Sequence, residues 1–207
     1  MSKRIGIFSG SFDPVHKGHV AFALASITAA RLDMVYFAPE TKPRRKPHVS
    51  HIAHRMAMLE LAVRAHPQLA TLDLPGKYFL PKSTMAHLKK RFPDDTLVLL
   101  LGADLYMHLV EYSGQWPHVE YLLQQMEFAV AERDDISNEA IVAGAAMLPV
   151  QPIALHVIPK VHTQISSSTI RDVLREGGHS AGLLPSVERY AKKHWLYHDV
   201  QSATKHV

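Results

Sequence analysis

The residues best suited to chemistry lie near the start of the chain, in the segment GIFSGSFDPVHKGH that runs from Gly6 to His19. Helix-permissive residues follow from Val20 to Arg31, so His16 and His19 face the same way on the first turn of a predicted helix. The free N–H groups and the dipole of a helix N-terminus favour an anion there. Because glycine and small residues precede the histidines, backbone N–H groups can also approach that anion closely. The segment therefore predicts a phosphate site with two histidine donors, rather than two histidines without a ligand.

A second candidate phosphate site lies near the other end of the chain, in the segment ISSSTIR from Ile165 to Arg171. Ser166, Ser167 and Ser168 stand at the start of a predicted helix, where serine hydroxyls satisfy the free N–H groups. That simple cap is one interpretation. The other is that the hydroxyls, the helix N-terminus and the Arg171 guanidinium together bind a polyphosphate. The presence of the first segment in the same chain favours the second interpretation.

Alternating strands and helices are predicted to position these segments. Short apolar runs predict strands at Ile5–Phe8, Met34–Ala38, Ala70–Leu74, Thr96–Leu101, Glu127–Ala131 and Ala154–Ile158. Helical patterns lie at Val20–Arg31, His51–Ala65, Thr84–Arg91, Val119–Gln125, Ser137–Met147, Ser168–Glu176 and Pro185–Trp195. Continuous apolar strands indicate a parallel sheet covered on both faces, and the alternation predicts a doubly wound α/β fold. In such a sheet ligands bind beyond the carboxyl ends of the strands.

Composition excludes several classes of protein. Of the 207 residues, 47% are hydrophobic and 20% are charged, which is ordinary for a globular protein and sufficient for one α/β domain. No cysteine is present, which excludes disulfides and thiolate metal sites. The chain has no apolar signal segment at its start and no apolar run of the ~20 residues that a membrane helix needs. We therefore expect a cytoplasmic protein with no membrane partner.

The formal net charge of +4 gives little support for nucleic-acid binding. Basic residues concentrate in the loop KPRRK, which contains Arg44, Arg45 and Lys46. A phosphate-rich small molecule accounts for these residues as well as a nucleic acid would, so we predict small-molecule substrates and no nucleic-acid partner. The sequence leaves the oligomeric state open, a homo-oligomer included.

Two further candidates follow the most hydrophobic strand, Thr96–Leu101. Gly102 permits close approach at the strand end, and Asp104 either accepts ribose hydroxyls or caps the next helix. A third candidate, Trp116, lies in the loop YSGQWP. Its indole either stacks on a heteroaromatic ring or pins the loop to the body of the protein.

The segment from Gly10 to His19 resembles the H-x-G-H signature of the nucleotidylyltransferase superfamily, and its form G-S-F-D-P-V-H-x-G-H is similar to that of bacterial nicotinate mononucleotide adenylyltransferases. The segment from Ile165 to Arg171 resembles the second signature, I-S-S-T-x-I-R, and the run LLPSVERYAKKHWLY resembles the family's closing helix. Neither a G-x-G-x-x-G fingerprint nor a P-loop is present. The resemblance implies a Rossmann-like doubly wound parallel sheet with helices on both faces. It also implies a single nucleotidylyltransferase domain over residues 1–207, with a closing helical segment at about 166–197.

The resemblance implies adenylyl transfer from ATP to nicotinate mononucleotide, which gives deamido-NAD and pyrophosphate in NAD biosynthesis. Nicotinamide mononucleotide or another phosphate-bearing acceptor is an alternative substrate, and a nucleotide-binding protein without turnover is an alternative of another class. Because the sequence contains no carboxylate cluster, a Mg²⁺ ion would be held mainly by the ATP phosphates.

The functional residues of the family carry over to this chain by position. The resemblance implies a catalytic set of His16, His19 and Arg171. It implies an ATP- or phosphate-binding set of Gly10, Ser11, Phe12, Gly18, Gly102, Asp104, Ile165, Ser166, Ser167 and Ser168. The implied substrate-binding set is Arg44, Arg45, Lys46, Thr84, Trp116 and Arg133, with no residue assigned to a metal. In this set Trp116 would stack on the pyridine ring, and Arg133 would bind the substrate phosphate unless it forms a surface ion pair.

Two segments depart from the family pattern. The loop over residues 42–48 keeps positive charge but lacks the usual P-P-H-K. The segment Lys82–Leu88 keeps only Thr84 and Leu88 of the usual S-Y-T-x-D-T-L, a region that helps to recognise the pyridine substituent. The sequence therefore leaves the choice between acid and amide open. Trp116 and the helix N-termini that could face a carboxylate favour the acid.

Overall fold

The computed structural model of the protein describes residues 2–44, 46, 48–133, 135–160 and 165–198. Its strands in chain order are β1 (Arg4–Gly10), β2 (Met34–Pro39), β3 (Leu69–Thr71), β4 (Thr96–Gly102), β5 (Glu127–Ala131) and β6 (Leu155–Ile158). All pair in parallel, in the order β3-β2-β1-β4-β5-β6. The chain order therefore reverses between the neighbours β1 and β4, and the loops that follow these two strands meet at that switch point.

Helices connect these strands. In chain order they are α1 (Lys17–Ala29), α2 (Ile52–Val63), α3 (Pro81–Arg91), α4 (Ala103–Glu111), α5 (Val119–Leu123), α6 (Asn138–Ala146), α7 (Ser167–Arg175) and α8 (Pro185–Lys193), with a 3₁₀ turn at Ser113–Gln115. Within the described ranges, no helix is both long and apolar enough to span a membrane.

Alternate residues of each strand point to opposite sides of the sheet, so both faces carry apolar side chains. Helices cover both faces. Phe8 and Phe37 face one apolar cluster, to which α1, α2, α7 and α8 contribute. Ile7 and Leu99 face the other, to which α3, α4, α5 and α6 contribute. The doubly wound Rossmann-like α/β fold predicted from the sequence is confirmed.

One helix and several boundaries differ from the sequence-based expectation. The residues after β4 were predicted to form a loop, whereas α4 begins directly at Ala103 and places Asp104 in its first turn. An apolar stripe that includes Tyr106, Leu109 and Val110 holds this helix on the sheet. At α3, Pro81 stands at the first position and the helix begins three residues before the predicted start, because proline suits that position.

Candidate active site

The two histidines of the first segment form a stacked pair at the start of α1. His16 immediately precedes the helix and His19 lies in its first turn, with ring centroids 3.6 Å apart and ring planes 25° from parallel. The backbone N–H of His16 donates to Nδ1 of His19 at 3.2 Å. Since Nδ1 accepts this bond, the proton of a neutral His19 ring is assigned to Nε2, which is then a hydrogen-bond donor.

Aromatic side chains hold His19 in place. Phe8 and Phe12 meet its ring edge-to-face, with centroids 5.8 and 5.1 Å away. Phe12 is buried and has a left-handed backbone with φ of 49°. A Cβ on Gly10 would lie 3.1 Å from the Phe12 ring, so glycine favours this close approach and a larger residue would push the ring aside by a few tenths of an ångström. The side chain of Phe12 therefore packs beneath the site.

Burial keeps both imidazoles neutral at pH 7. It lowers the pKa of His16 to about 4. Burial also lowers the pKa of His19 well below its usual value, and the nearby His16 and Lys46 lower it further. The pair therefore offers neutral N–H donors to an anion, and a bound anion would raise both pKa values by favouring the protonated form.

The second segment is hydrogen-bonded to the first. Arg171 donates from Nη1 to the backbone oxygen of Asp13 at 2.8 Å, and Ser167 donates from its hydroxyl to the backbone oxygen of Pro14 at 3.0 Å. Ser166 caps α7 by accepting from the N–H of Thr169 at 3.2 Å. We call His16, His19, Arg171 and the residues from Ser166 to Ser168 the phosphate cradle.

Within the cradle Ser168 is exposed on the first turn of α7, and Ile165 packs against the apolar cluster below it. Gly18 is buried in the first turn of α1. The structure therefore brings the two predicted phosphate segments together.

The basic loop after β2 reaches the same edge of the sheet. Lys46 donates from Nζ to the Ser11 hydroxyl at 2.9 Å. Burial and the charge of Arg171 lower the pKa of Lys46, which Asp13 and other acidic neighbours partly offset. Arg44 lies over the ring of Tyr78, 4.3 Å from its centroid. Arg45, the third basic residue predicted to bind substrate, lies outside the described residues.

Arg55 is a buried residue that the sequence analysis did not single out. Its guanidinium donates to the carbonyls of Ser50, Ser11, Glu40 and Thr41 at 2.8 to 3.0 Å. It thereby ties the loop after β1 to the loop after β2. The signal for this role is a charged residue on an otherwise apolar helix face, one turn before the core residues of α2.

A cavity of about 900 Å³ opens at the switch point between β1 and β4. We call it the switch-point cavity. Its apolar wall is formed by Leu99, Leu101, Leu105, Leu109 and Leu122, and its aromatic wall by Phe79, His108, Tyr112 and Trp116. Its polar lining residues include Ser9, Ser11, Glu40, Arg44, Lys46 and Asp104.

Two side chains in this cavity are informative. Trp116 is half-buried. It packs against the core, as expected if it holds its loop to the body of the protein, and it also lines the cavity, where it could stack on a ring. The hydroxyl oxygen of Ser9 is buried, and within the described part of the chain it has no hydrogen-bond partner. A buried hydroxyl without a partner is costly, so this atom favours a ligand with a polar group.

Two predicted substrate residues do not line the cavity. Thr84 is 1% exposed, and its hydroxyl accepts from the N–H of Leu80 at 2.9 Å, so it stabilises the start of α3. Arg133 forms an ion pair with Asp104, the alternative that the sequence had left open for it. Direct substrate contact by Thr84, which the resemblance implied, gains no support from this buried position and stays a prediction.

Asp104 lines the cavity while paired with Arg133, and Gly102 is exposed at the end of β4 with open space where a Cβ would be.

Across the described ranges, no group of three histidine or acidic residues is arranged to hold a metal ion. The phosphate cradle itself supplies N–H groups, hydroxyls and a guanidinium, which are donors to anions and poor ligands for a hard cation.

Comparison with known proteins supplies the context for this site. The cytidylyltransferase-like family model matches residues 7–173. A probable nicotinate-nucleotide adenylyltransferase from Bordetella petrii is 36% identical over 94% of this chain and 99% of its own. The nicotinate-nucleotide adenylyltransferase of Bacillus subtilis is 29% identical over 94% of this chain and 98% of its own.

Among solved structures, the nicotinic acid mononucleotide adenylyltransferase of Plasmodium falciparum complexed with NaAD is similar to this fold. It has a TM-score of 0.72 at 21% identity, over 94% of this chain and 97% of that one. At this identity the likeness supports the fold.

Proposed function

Because the chain belongs to the nicotinate-nucleotide adenylyltransferases of the cytidylyltransferase-like family, we propose that it transfers the adenylyl group of ATP to nicotinate mononucleotide. The products are deamido-NAD and pyrophosphate. One observation carries the proposal: Arg171 and Ser167 donate to the carbonyls of Asp13 and Pro14, which makes one anion site from both ends of the chain. That site adjoins a cavity large enough for a nucleotide.

The chemistry requires positioning and charge stabilisation, with no covalent enzyme intermediate. A 5′-phosphate oxygen of the acceptor attacks the α-phosphorus of ATP in line. The bond from that phosphorus to the oxygen bridging it to the β-phosphate breaks, and pyrophosphate leaves with the bonding electrons. His16 and His19 would donate to α- and β-phosphate oxygens, whose negative charge grows during the transfer. Arg171 and the start of α7 would hold the departing pyrophosphate.

The switch-point cavity would bind the acceptor. Trp116 offers a flat face to the pyridine ring, and Arg44 and Lys46, which also line the cavity, would bind the phosphate of the acceptor. Ser9 would donate to or accept from a polar group of the bound nucleotide, which satisfies its buried hydroxyl. Pro81 borders the cavity, so the N-terminus of α3 is near enough to favour the carboxylate of the acid.

A Mg²⁺ ion fits this reaction as a counter-ion held mainly by ATP phosphates and water. The cradle contains no carboxylate among its residues, so this chain would contribute donors to the phosphate oxygens rather than ligands to the ion. ATP as a substrate agrees with the cytoplasmic location predicted from the sequence, which stays a prediction.

Pyrophosphate release tests the proposal. The protein is mixed with Mg²⁺ and ATP and with one acceptor at a time: nicotinate mononucleotide, nicotinamide mononucleotide, or another nucleoside monophosphate. We expect release with the first, together with a product that has the mass of deamido-NAD. ATP binding without release for any acceptor would instead support the nucleotide-binding alternative.

A further inference from the structure

Asp13 joins three distant parts of the chain beneath the phosphate cradle. It is only 2% exposed. Its Oδ1 accepts from the Tyr197 hydroxyl at 2.7 Å, and its Oδ2 accepts from the N–H of Ser50 at 3.0 Å. Its backbone oxygen accepts from Arg171. The loop after β1, the loop before α2 and the segment after α8 therefore meet at one residue.

Tyr197 is fixed in this position by its surroundings. Burial and the charge of Asp13 raise the pKa of its hydroxyl, so it remains a donor at physiological pH. Its backbone is left-handed, with φ of 72°, a conformation that a tyrosine adopts only where other contacts compensate for the strain. The turn before α8 supports the same attachment, since Lys17 donates to the carbonyls of Gly182 and Ala181.

The carboxylate of Asp13 lies among cations that the cradle needs. Burial lowers the pKa of Lys46 and of Arg55, and the negative charge of Asp13 offsets part of that lowering in both. Arg171 already contacts its backbone. A carboxylate that lost one of its two fixed hydrogen bonds could turn toward the Arg171 guanidinium, which lies beside it, and compete with the phosphates for that group.

We propose that Tyr197 is a positioning residue for adenylyl transfer: its hydroxyl fixes the Asp13 carboxylate, so that Arg171 remains available to the phosphates. This inference rests on the proposed function. Tyr197 does not line the switch-point cavity, and it acts through Asp13. It also gives the segment after α8 a role at the active site, beyond completing the fold.

The test compares Tyr197→Phe with Tyr190→Phe in the full chain. Tyr190 is a matched control because its hydroxyl is bonded to His54, between α2 and α8. We expect Tyr197→Phe to lower kcat and to weaken binding of a non-hydrolysable ATP analogue with Mg²⁺. Each effect should be about ten-fold, the order of one hydrogen bond to a charged group. KM for the acceptor should change less than two-fold, and Tyr190→Phe should leave kcat and analogue binding unchanged. The inference would be overturned if Tyr197→Phe kept the kcat and the analogue affinity of wild type. It would also be overturned if Tyr190→Phe lowered both quantities as much as Tyr197→Phe does.

A double-mutant cycle tests whether Tyr197 acts through Asp13. In an Asp13→Asn background no carboxylate remains to compete, so adding Tyr197→Phe should change analogue binding less than two-fold. Effects that simply multiply would overturn the inference. Analogue binding is measured by calorimetry and does not depend on turnover. Wild-type protein that releases no pyrophosphate would therefore refute the proposed function, while the binding comparison would still decide the role of Tyr197.

Discussion

The phosphate cradle and the switch-point cavity are built in different ways. The cradle is formed by two segments that lie far apart in the chain and are hydrogen-bonded to each other, with Arg171 and Ser167 held on the loop after β1. The cavity has apolar and aromatic walls, and its polar lining residues come from β1 and the loop after it, the loop after β2 and the first turn of α4. The cradle requires donors at fixed positions, because charge develops at fixed atoms during phosphoryl transfer. The cavity needs only shape and a few polar contacts, so its sequence can change while binding is kept.

We therefore expect substitutions in the two regions to affect different steps, the chemical step in one and the choice of acceptor in the other. Variants of the cradle should lower kcat for every acceptor. Variants of the aromatic wall of the cavity should change the use of the acceptor and leave the use of ATP intact.

The largest effect is expected from His16→Ala or His19→Ala. Each removes a donor whose contact strengthens as charge develops on the phosphates, so kcat should fall on the order of 10²–10³-fold, with a much smaller change in ATP binding. Steady-state kinetics with ATP and nicotinate mononucleotide measure this. His66→Ala, at a half-buried position outside the cradle, is the control and should behave like wild type. Full turnover with only a raised KM for ATP would mean that the histidines merely bind.

Acid sensitivity of the ligand-free protein should follow from the lowered pKa of His16. Its pKa is about 4 in the folded state and near 6.5 when unfolded, so between these values the unfolded state binds the extra proton. Stability is therefore kept at pH 7 and lost as pH falls toward 4. The free energy of unfolding in urea should drop by about 3 kcal/mol more in wild type than in His16→Gln over that range. Equal drops in the two proteins would contradict the assignment.

Trp116→Ala should affect the acceptor alone. Loss of the stacking face should cost about 1–2 kcal/mol, a roughly ten-fold lower kcat/KM for nicotinate mononucleotide, with the KM for ATP unchanged. Trp116→Phe should recover most of this loss, since it restores an aromatic face. An equal effect of Trp116→Ala on ATP would argue that the residue only holds the loop in place.

The smallest effect is expected from the basic loop. Replacing Arg44, Arg45 and Lys46 with glutamine should raise KM for ATP or for the acceptor by about three-fold, with a shallow dependence on salt. The matched control carries the same change of charge at Lys89, Lys90 and Arg91, which do not line the cavity. Tight duplex or tRNA binding with a steep salt dependence, lost in the loop variant alone, would favour a nucleic-acid partner instead.

Much of the fold was predictable, because continuous apolar strands and the helices between them are local patterns. The six predicted strands overlap those of the structure, with small shifts at their ends. Helix α4 was missed because it follows β4 without a turn, and no breaker separates Gly102 from Ala103. The inward position of Thr84 was missed because it lies on the same buried face of α3 as Met85 and Leu88, and only the fold shows which face packs inward.

The candidate site also contains residues that the sequence alone could identify and residues that only the fold reveals. The cradle segments could be recognised because each contains its donors within a few residues. Arg55 and Tyr197 could not be assigned from sequence, because their partners are up to 184 positions away and only the fold brings them together. The partnerless hydroxyl of Ser9 likewise becomes informative only when its surroundings are known.

The central claim is that the cradle performs adenylyl transfer while the cavity selects nicotinate mononucleotide. Side-by-side kcat/KM values for the acid and the amide mononucleotide, each with saturating ATP and Mg²⁺, test it most directly. We predict that the acid is preferred by at least about ten-fold, in line with a helix N-terminus and an aromatic wall that suit a planar carboxylate. Equal values or a preference for the amide would contradict the acid-specific assignment, and only the adenylyl-transfer chemistry would remain.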